Sequence, residues 1–411
     1  MELGELCDLI VDCEHKTAPT QEAGYPSIRT PNIGRGYLIL GEVNRVSEET
    51  YRLWTRRAIP KPGDLIMARE APVGNVAIIP PGLNPCLGQR TLLIRCNKAK
   101  ADPSYVSYLL NGPQLQATIY GMTNGATVPH LNMRDVRTLP IPEVPPLPTQ
   151  RKIAAILSAY DDLIENNTRR IKILEAMAQA IYREWFVHFR FPGHEKVKMV
   201  SSPLGPIPQG WEVCKLAQLA SVNARSIRRG EEPEEIEYID ISSVSTGSID
   251  KTQPMRFEGA PSRARRIVRH GDLVWSSVRP NRRSYSLILN PRPNVIVSTG
   301  FAVISGREAP YTYLYHALTA DDFVAYLTNH ATGAAYPAVN AEDFENARIV
   351  RPPRLLLDQF HEIGEPMFEV RDRLAQKNIN LRQTRDLLLP RLISGELDVS
   401  ELDINVRENL P

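Results

Sequence analysis

The chain has 411 residues, 42% hydrophobic and 23% charged, a composition typical of a soluble globular protein of two or more domains. Its five cysteines form no Cys-x-x-Cys pair, its first residues lack the layout of a signal peptide, and no apolar run approaches the roughly 20 residues of a membrane-spanning helix. We therefore exclude a disulfide scaffold, a zinc knuckle and a membrane protein, and we expect a cytoplasmic location. The net charge of +2 does not by itself indicate a nucleic-acid partner.

The sequence is internally repeated. An offset of 208 residues, which carries Leu65 onto Leu273, superimposes residues 57–141 on 265–349 without a gap. It aligns Gly-Asp-Leu-Ile at 63–66 with Gly-Asp-Leu-Val at 271–274, and the loop Gly-Ala-Thr-Val-Pro-His-Leu-Asn at 125–132 with Gly-Ala-Ala-Tyr-Pro-Ala-Val-Asn at 333–340. A fixed offset over this length makes coincidence improbable, so we predict a duplicated architecture.

Each copy has the same order of predicted elements. Short β-type runs broken by Gly, Pro and Asn come first, followed by a helical patch near 105–115 in one copy and 311–327 in the other. The repeated loop and a proline-rich exit at 140–148 or 352–353 come next. Because proline favours an extended chain, each exit is predicted to end the domain before a long helix begins.

The first long helix is predicted from Gln150 to about His188, a stretch without Gly or Pro. Its apolar residues alternate at spacings of three and four, which is typical of a coiled coil. At 1.5 Å per residue such a helix would be on the order of 55 Å long. One seam carries Leu157, Ile164, Ile171, Ala178 and Trp185, and the other carries Ile153, Tyr160, Asn167, Leu174 and Ile181.

The second long helix has one clear apolar seam. Its second seam is apolar as far as Val370 and polar after it. We expect Gly364 and Pro366 to kink its first turns or delay its start. We predict that the two helices pair antiparallel, with the core residue Asn167 fixing the register against Lys377 or Asn378. The alternative is two independent helices, each packed on its own domain. The clear seam carries Phe360, Met367, Leu374, Leu381 and Leu388.

Two related modules joined by paired helices suit a two-part DNA site. Arginine reads guanine and Asn or Gln reads adenine, while Lys and Arg also hold phosphates. Eight arginines and one acidic residue, Asp272, lie between Arg263 and Arg292. Any single candidate could simply be a solvated surface residue, and the clusters 69–75 and 279–283 are favoured because they follow the equivalent Gly-Asp strands. The candidates are Lys16, Arg29, Asn32, Arg35, Arg69, Asn75, Gln89 and Arg90 in the first module, and Arg225, Arg228, Arg229, Arg279, Asn281, Arg282 and Arg283 in the second.

The ordered combination of motifs resembles the specificity subunit of type I restriction-modification systems. The resemblance covers nearly the whole chain, although each motif alone is weak. Besides the repeated strand and loop motifs, it rests on the exit 139–150, the helix segment 153–167, the bridge Trp185-Phe186-Val187, the restart 204–211 and the helix ending 388–397.

The resemblance implies a division of labour between subunits. Each module would be a target-recognition domain reading one half of a split, asymmetric site. The helices, around 150–185 and 359–392, would set the half-site spacing and dock two modification subunits. Those partners would carry S-adenosylmethionine and methylate adenine at N6, and a restriction subunit would use ATP and Mg, so no cofactor is expected on this chain.

The sequence offers no catalytic machinery. It contains neither Gly-x-Gly-x-x-Gly nor a Walker phosphate loop, and 84–86 and 290–292 do not match the Asn/Asp-Pro-Pro-aromatic motif of amino-methyltransferases. The eight histidines show no metal-ligand spacing, and Cys13 with His15 lacks an identifiable third member. Asp64 and Asp272 are predicted to accept backbone amides in a turn before a strand.

We therefore predict an α+β chain with two target-recognition domains in a pseudo-two-fold repeat and two long antiparallel helices. The predicted segments are 1–148 (first domain), 149–190 (first helix), 191–352 (linker and second domain), 353–398 (second helix) and 399–411 (tail). The alternative is a coiled-coil scaffold that binds only proteins, which would show no salt-dependent retention on DNA.

Overall fold

The computed structural model describes residues 1–124 and 129–406. The chain divides into two compact units, unit 1 (Met1–Asn166 with Asn378–Pro411) and unit 2 (Asn167–Lys377). Each unit contains one α+β domain and part of both long helices. The predicted segments treat the helices as separate pieces, whereas the structure packs a share of each helix into each unit. Residues 125–128 of the first repeated loop and 407–411 of the predicted tail lie outside the described residues.

Unit 1 begins with strands and continues with helices. Its strands are β1 (Cys7–Asp12), β2 (Tyr25–Ile28), β3 (Asn44–Val46), β4 (Leu65–Ala68), β5 (Val76–Ile78), β6 (Cys86–Leu87) and β7 (Thr91–Cys96). Its helices are α1 (Glu48–Trp54), α2 (Pro103–Asn111), α3 (Pro113–Gly121), α4 (Met133–Arg137) and the first part of α5 (Leu147–Tyr182).

Unit 2 follows the same plan with more strands. They are β8 (Met199–Val200), β9 (Ile207–Pro208), β10 (Glu212–Lys215), β11 (Ala220–Val222), β12 (Glu235–Ile239), β13 (Val244–Ser245), β14 (Ser248–Ile249), β15 (Gln253–Arg256), β16 (Ala264–Ile267), β17 (Asp272–Ser276), β18 (Tyr285–Ile288), β19 (Val295–Ser298), β20 (Phe301–Gly306) and β21 (Arg348–Arg351). Its helices are α6 (Leu216–Leu219), α7 (Tyr311–Thr319), α8 (Asp321–His330), α9 (Ala341–Asn346) and most of α10 (Arg354–Ile393).

The two domains share their sheet topology. The main sheet has the order β1-β7-β4-β5 in unit 1 and β11-β20-β17-β18 in unit 2, with every pair antiparallel. The second sheet contains one parallel pair in each domain, β2 with β6 and β12 with β19. The predicted duplication and the α+β class are confirmed.

The gap-free alignment of the two halves is wrong across two strands. One is β5, which maps onto β18 at an offset of 209, because Leu65 lies opposite Ile78 and Leu273 lies opposite Leu287. The other is β7, which maps onto β20 at an offset of 210, because Leu65 also lies opposite Ile94, whereas its counterpart Leu273 lies opposite Ile304. Helix α2 maps onto α7, bound for bound, at the offset of 208. The loops between these elements absorb the differences, because strand register is fixed by pairing and loop length is not.

The repeated Gly-Asp pair forms a tight turn before the central strand. Gly63 and Gly271 have φ of +85° and +83°, in the left-handed region that favours glycine. The Asp64 carboxylate accepts the backbone N–H of Lys61 at 2.8 Å, and the Asp272 carboxylate accepts that of Arg269 at 2.7 Å. The predicted structural role of both carboxylates is confirmed.

The long helices contribute to both cores. In unit 1, Ile153 and Leu157 of α5 are buried together with Tyr105 of α2 and Leu392 of α10. In unit 2, Phe360 of α10 is buried, and its ring centroid lies 5.1 Å from that of Phe186, which belongs to the π-helical turn Arg183–Val187 that follows α5. Helix α5 begins at Leu147 rather than Gln150. Helix α10 begins at Arg354 and continues through Gly364 and Pro366, so the expected delay of its start is wrong.

The two helices pair antiparallel within each unit. In unit 1, Arg385 of α10 donates to Asp161 of α5, and the Asn378 side chain donates to the Ile164 carbonyl at 3.3 Å. In unit 2, Nε of Arg371 donates to Oε1 of Glu175 at 2.6 Å. None of the predicted pairing residues is exposed. The buried ones are Ile153, Leu157, Ile164, Asn167, Phe360 and Leu374, and the half-buried ones are Tyr160, Ile171, Leu174, Ile181, Met367, Leu381 and Leu388.

A search of the helices in the described ranges finds none with the length and apolar character of a membrane span.

Candidate nucleic-acid interface

Backbone hydrogen bonds gather the candidate residues of unit 1 at one group of loops. The Gly88 N–H donates to the Ile28 carbonyl at 2.7 Å, which places Arg29 beside the Gln89–Arg90 turn. The Arg69 N–H donates to the Arg90 carbonyl at 2.9 Å, and the Gln89 side chain reaches the His15 carbonyl at 3.5 Å. We call this surface loop face 1; it is formed by Lys16, Arg29, Arg69, Gln89 and Arg90.

Several candidates in unit 1 use their side chains inside the domain. Asn32 is buried, and its amide donates to the Ile39 carbonyl at 3.1 Å and accepts the Arg29 N–H. The Asn75 amide donates to the Ile33 carbonyl at 3.0 Å, and Arg69 Nε donates to the Leu131 carbonyl at 2.7 Å. In this conformation these three side chains hold the loops in place.

The remaining cations of unit 1 face solvent. Lys16, Arg29 and Arg35 are exposed, and their side chains form no ion pair with any of the described residues. Arg90, which is also exposed, has a positive φ of 66° and lies 3.0 Å from the Glu70 carboxylate. Loop face 1 therefore presents exposed positive charge on loops joined by backbone hydrogen bonds.

The candidates of unit 2 fall into two groups at opposite ends of β17. Arg225 lies at the start of the strand, where its Nη2 donates to the buried Asp272 carboxylate at 2.6 Å and to Ser305 Oγ at 3.1 Å. Arg228 and Arg229 are exposed in the loop that follows Arg225. The cluster 279–283 lies beyond the other end of β17. The structure thus gives Arg225 a role within the domain.

The second group occupies a short turn. Residues Pro280–Arg282 form a single 3-10 turn, flanked by Arg279 and Arg283, which have φ of 50° and 54°. Left-handed conformations cost non-glycine residues of order 1 kcal/mol and are concentrated at functional sites. Asn281 and Arg282 are exposed, and Arg283 pairs with Asp321 at the start of α8. We call the surface formed by Arg279, Asn281, Arg282 and Tyr336 loop face 2.

Tyr336 is the member of loop face 2 that the sequence analysis missed. It lies in the repeated loop and is 69% exposed, and the Arg279 guanidinium stacks over its ring at 4.6 Å from the centroid. The motif was recognised for its Gly, Pro and Asn residues, and a single exposed tyrosine between them gave no pattern. No signal in the sequence indicates this residue, because Tyr336 meets Arg279 only through the tertiary fold.

The arginine excess between 263 and 292 is partly balanced from elsewhere in unit 2. Arg263 pairs with Asp240, Arg283 with Asp321 and Arg292 with Glu237, while Arg265 stacks on the Phe257 ring. These carboxylates lie outside the run, so composition alone overstates its charge. The free cations of unit 2 are fewer than the sequence indicates.

The Cys13 and His15 pair does not form a nucleophilic site. The structure does supply an acid, since His15 Nε2 lies 2.9 Å from the Asp12 carboxylate. However, Cys13 is buried, and burial raises the pKa of its thiol, whereas a nucleophilic cysteine needs a lowered one. Within 1–124 and 129–406 no group of His, Cys, Asp and Glu side chains could hold a metal ion.

Comparisons with known proteins agree with the fold. Residues 1–176 match the family described as the type I restriction modification DNA specificity domain. The chain is 26% identical over 371 residues to the type I restriction enzyme MjaIX specificity subunit of Methanocaldococcus jannaschii, covering 89% of this chain and 84% of that protein. It is 22% identical over 339 residues to the HindI specificity subunit of Haemophilus influenzae, covering 67% and 72%.

A solved structure shares the fold of the whole chain. The type I restriction-modification S subunit from M. genitalium superimposes with a TM-score of 0.64 over 96% of this chain and 95% of that one, at 16% identity. Residues 1–176 thus match a DNA-specificity domain, and the duplicated fold is that of a solved specificity subunit. Over most of its length the chain is similar to specificity subunits of type I restriction-modification systems.

Proposed function

We propose that each unit reads one half of a split DNA site and that the two half-sites differ in sequence. The observation behind this proposal is that both domains have the same sheet order but carry their exposed polar side chains on different loops. In unit 1 these loops follow β1 and β2 and precede β7, and in unit 2 they are the turn after β17 and the repeated loop. Loop face 1 offers Lys16, Arg29 and Arg90, whereas loop face 2 offers Asn281, Arg282 and the Arg279–Tyr336 stack. Shared topology supports a common mode of binding, and different side chains support different bases.

The chemistry of loop face 1 suits phosphate and base contacts together. The exposed Lys16 and Arg29 side chains, which form no ion pair with the described residues, attract the DNA backbone and orient the domain. The Gln89 amide can exchange its weak contacts with Thr17 and His15 for a base edge. Both of those contacts are long, at 3.4 and 3.5 Å, so little is lost in breaking them.

We extend the proposal to the partners that the family resemblance implies. The helices α5 and α10 would dock two modification subunits, which carry S-adenosylmethionine and methylate adenine, and a restriction subunit would supply ATP- and Mg-dependent cleavage. Exposed apolar side chains on both helices support such a dock: Ile173 is 58% exposed, Met177 48% and Leu387 71%. Contiguous exposed apolar groups are typical of a protein interface, and Ile173 and Met177, four residues apart, lie on one face of α5.

The test is methylation-aware long-read sequencing of host DNA, with and without this chain beside its candidate modification subunit. We expect N6-methyladenine at a split, asymmetric motif only when the chain is present. As a matched control, the same cells carry a chain in which Lys16, Arg29 and Arg90 are replaced by alanine, which should weaken methylation of the whole motif. An active partner without any split motif would refute the proposal and favour a scaffold that binds only proteins.

A further inference from the structure

The Arg279 guanidinium is held in place by contacts on two sides. Its plane stacks over the Tyr336 ring at 4.6 Å from the centroid, and its Nη2 donates to the Ala335 carbonyl at 3.0 Å. The Arg279 backbone is fixed as well, because its N–H donates to the Pro337 carbonyl at 2.7 Å. The side chain forms no ion pair with the described residues, so its charge is not neutralised within unit 2.

The loop that carries Tyr336 is itself tied down. Thr332 and Ala338 exchange two backbone hydrogen bonds of 2.9 Å, and the Val339 N–H donates to the Ser277 carbonyl at 2.9 Å. Tyr336 is therefore 69% exposed because a closed loop presents it, and its ring forms a fixed platform for the guanidinium.

Such an arrangement prepares an arginine to recognise one kind of base. Guanine presents O6 and N7 in the major groove, and arginine binds both with two parallel N–H donors. Arg279 has five such donors and uses one on Ala335, so donors remain for a ligand. Stacking and the backbone bond restrict the rotation that a free arginine would lose on binding.

We propose that Arg279 reads a guanine in the half-site of unit 2, and that Tyr336 is the positioning residue that holds its guanidinium. This inference rests on the proposed DNA-reading function and adds the base and the two residues. It also predicts an asymmetry, since the offset of 208 places Ala71 and Val128 in unit 1 where unit 2 has Arg279 and Tyr336. The effect of both residues is therefore confined to one half-site.

The experiment uses the full chain with its modification subunit and a pool of DNA sites randomised around the motif of the wild-type chain. Methylation is sequenced to give the preference for each base at each position. R279K keeps the charge but removes the two-donor plane, and we expect the preference for guanine to fall roughly ten- to a hundred-fold at one position of one half-site. Y336A should weaken the same position by a smaller factor, and Y336F should restore it because its ring face is retained.

Arg282 supplies the matched control. It is exposed on the adjacent turn, and no described aromatic ring stacks on it. R282A should lower binding at all sequences about equally and reduce the slope of log affinity against log salt by about one. An unchanged base profile for R279K, a uniform loss for Y336A or Y336F, or a wild-type half-site without guanine would overturn the proposal for Arg279. A wild-type chain that directs no methylation at all would instead overturn the DNA-reading function on which it rests.

Discussion

The Arg95 guanidinium donates two parallel hydrogen bonds to the Asp64 carboxylate, from Nε to Oδ1 at 2.8 Å and from Nη2 to Oδ2 at 2.7 Å. In unit 2 the arginine comes from a different position, because Asp272 is neutralised by Arg225, which lies in the loop after β11. In both units the Gly-Asp turn buries a carboxylate, and an arginine neutralises its charge and so offsets the cost of its desolvation. Each unit thus pairs its buried carboxylate with an arginine, but the two arginines do not occupy equivalent positions in the repeat.

Replacing Asp64 by alanine should therefore destabilise unit 1. The Asp64 side chain is only 5% exposed, and its loss leaves the Arg95 guanidinium and the Lys61 N–H without their acceptor. We expect the free energy of unfolding to fall by about 3 kcal/mol, measured by urea titration. The control is Glu48→Ala, which removes the exposed pair with Arg52 and should cost less than about 0.5 kcal/mol. Equal effects of the two variants would contradict the structural role of Asp64.

The equivalent helices α2 and α7 differ at the residue before their first turn. Asp102 caps α2, since its carboxylate accepts the Tyr105 N–H at 3.0 Å, whereas Pro310 offers α7 no side-chain cap. Asp102→Ala should lower stability by about 1 kcal/mol, and Pro310→Asp should raise it by a smaller amount. The cavity beside Pro310, about 310 Å³ in volume, is lined by four arginines and Asp272. Arg225 and Arg354 already pair with carboxylates, so the favourable charge for an added carboxylate comes from Arg269 and Arg307.

Thermal unfolding of the two single variants and the double variant tests this pair. Pro310→Asn is the matched control, because it caps the helix without adding charge and should stabilise less than Pro310→Asp. A destabilised Pro310→Asp protein would show that the rigid proline ring, rather than the missing cap, dominates at this position.

Sequence reasoning recovered the duplication because its signals are local and repeated. Gly63 and Gly271 must adopt a positive φ, and Asp64 and Asp272 must accept nearby amides, so the same letters recur in both copies. The register of β7 relative to β20 was not predicted, because a difference of two residues in loop length gives no signal in the alignment of the two halves. The long helices were found from their heptads, but the continuation of α10 through Pro366 depends on packing that composition does not reveal.

The sequence identified the polar residues of the candidate site, but it did not distinguish those that are free to bind DNA from those that hold the fold together. Asn32 and Asn75 have the amide chemistry of base readers, yet the fold uses both amides to close loops. Arg225 belongs to a basic cluster in sequence but pairs with a buried carboxylate far along the chain. Hydrogen-bond partners come from tertiary structure, so a list of polar residues could not separate these side chains from Arg29 or Arg282.

His316 gives unit 2 a dependence on pH. The ring is 8% exposed, its Nε2 has no hydrogen-bond partner among the described residues, and burial lowers its pKa to about 4. Between that value and the unfolded value near 6.5 the unfolded chain binds a proton that the folded chain does not, so stability is lost as the pH falls. We expect a loss of about 2 kcal/mol from pH 7 to pH 5 in urea titrations.

The variant His316→Phe isolates this effect. The ring packs among Tyr182, Phe360 and Phe368, so phenylalanine keeps the aromatic contacts and removes the titrating group. Between pH 7 and pH 5 the free energy of unfolding of His316→Phe should fall by less than that of the wild type, and the difference should equal the loss expected from His316. The exposed His330→Gln variant should show the same fall as the wild type. The idea fails if wild-type protein and His316→Phe lose the same stability between pH 7 and pH 5.

The paired helices are proposed to set the spacing between half-sites, and the division into units indicates where to lengthen them. The units divide between Asn166 and Asn167 in α5 and between Lys377 and Asn378 in α10. Four residues inserted at both points leave the Arg385–Asp161 pair within unit 1 and the Arg371–Glu175 pair within unit 2. Because four residues add roughly 6 Å of helix and a base pair rises about 3.4 Å, the spacer should grow by about one to two base pairs.

Methylation-aware sequencing reads that length directly, with unchanged half-sites as the internal control. The matched variant carries the four residues in α5 alone, where the insertion shifts one heptad seam against the other and should lower both the unfolding temperature and methylation of any motif. If the double insertion methylates the original motif with its original spacer, the helices do not determine the spacing, and the gap between half-sites must then be fixed by whatever holds the two domains from outside this chain.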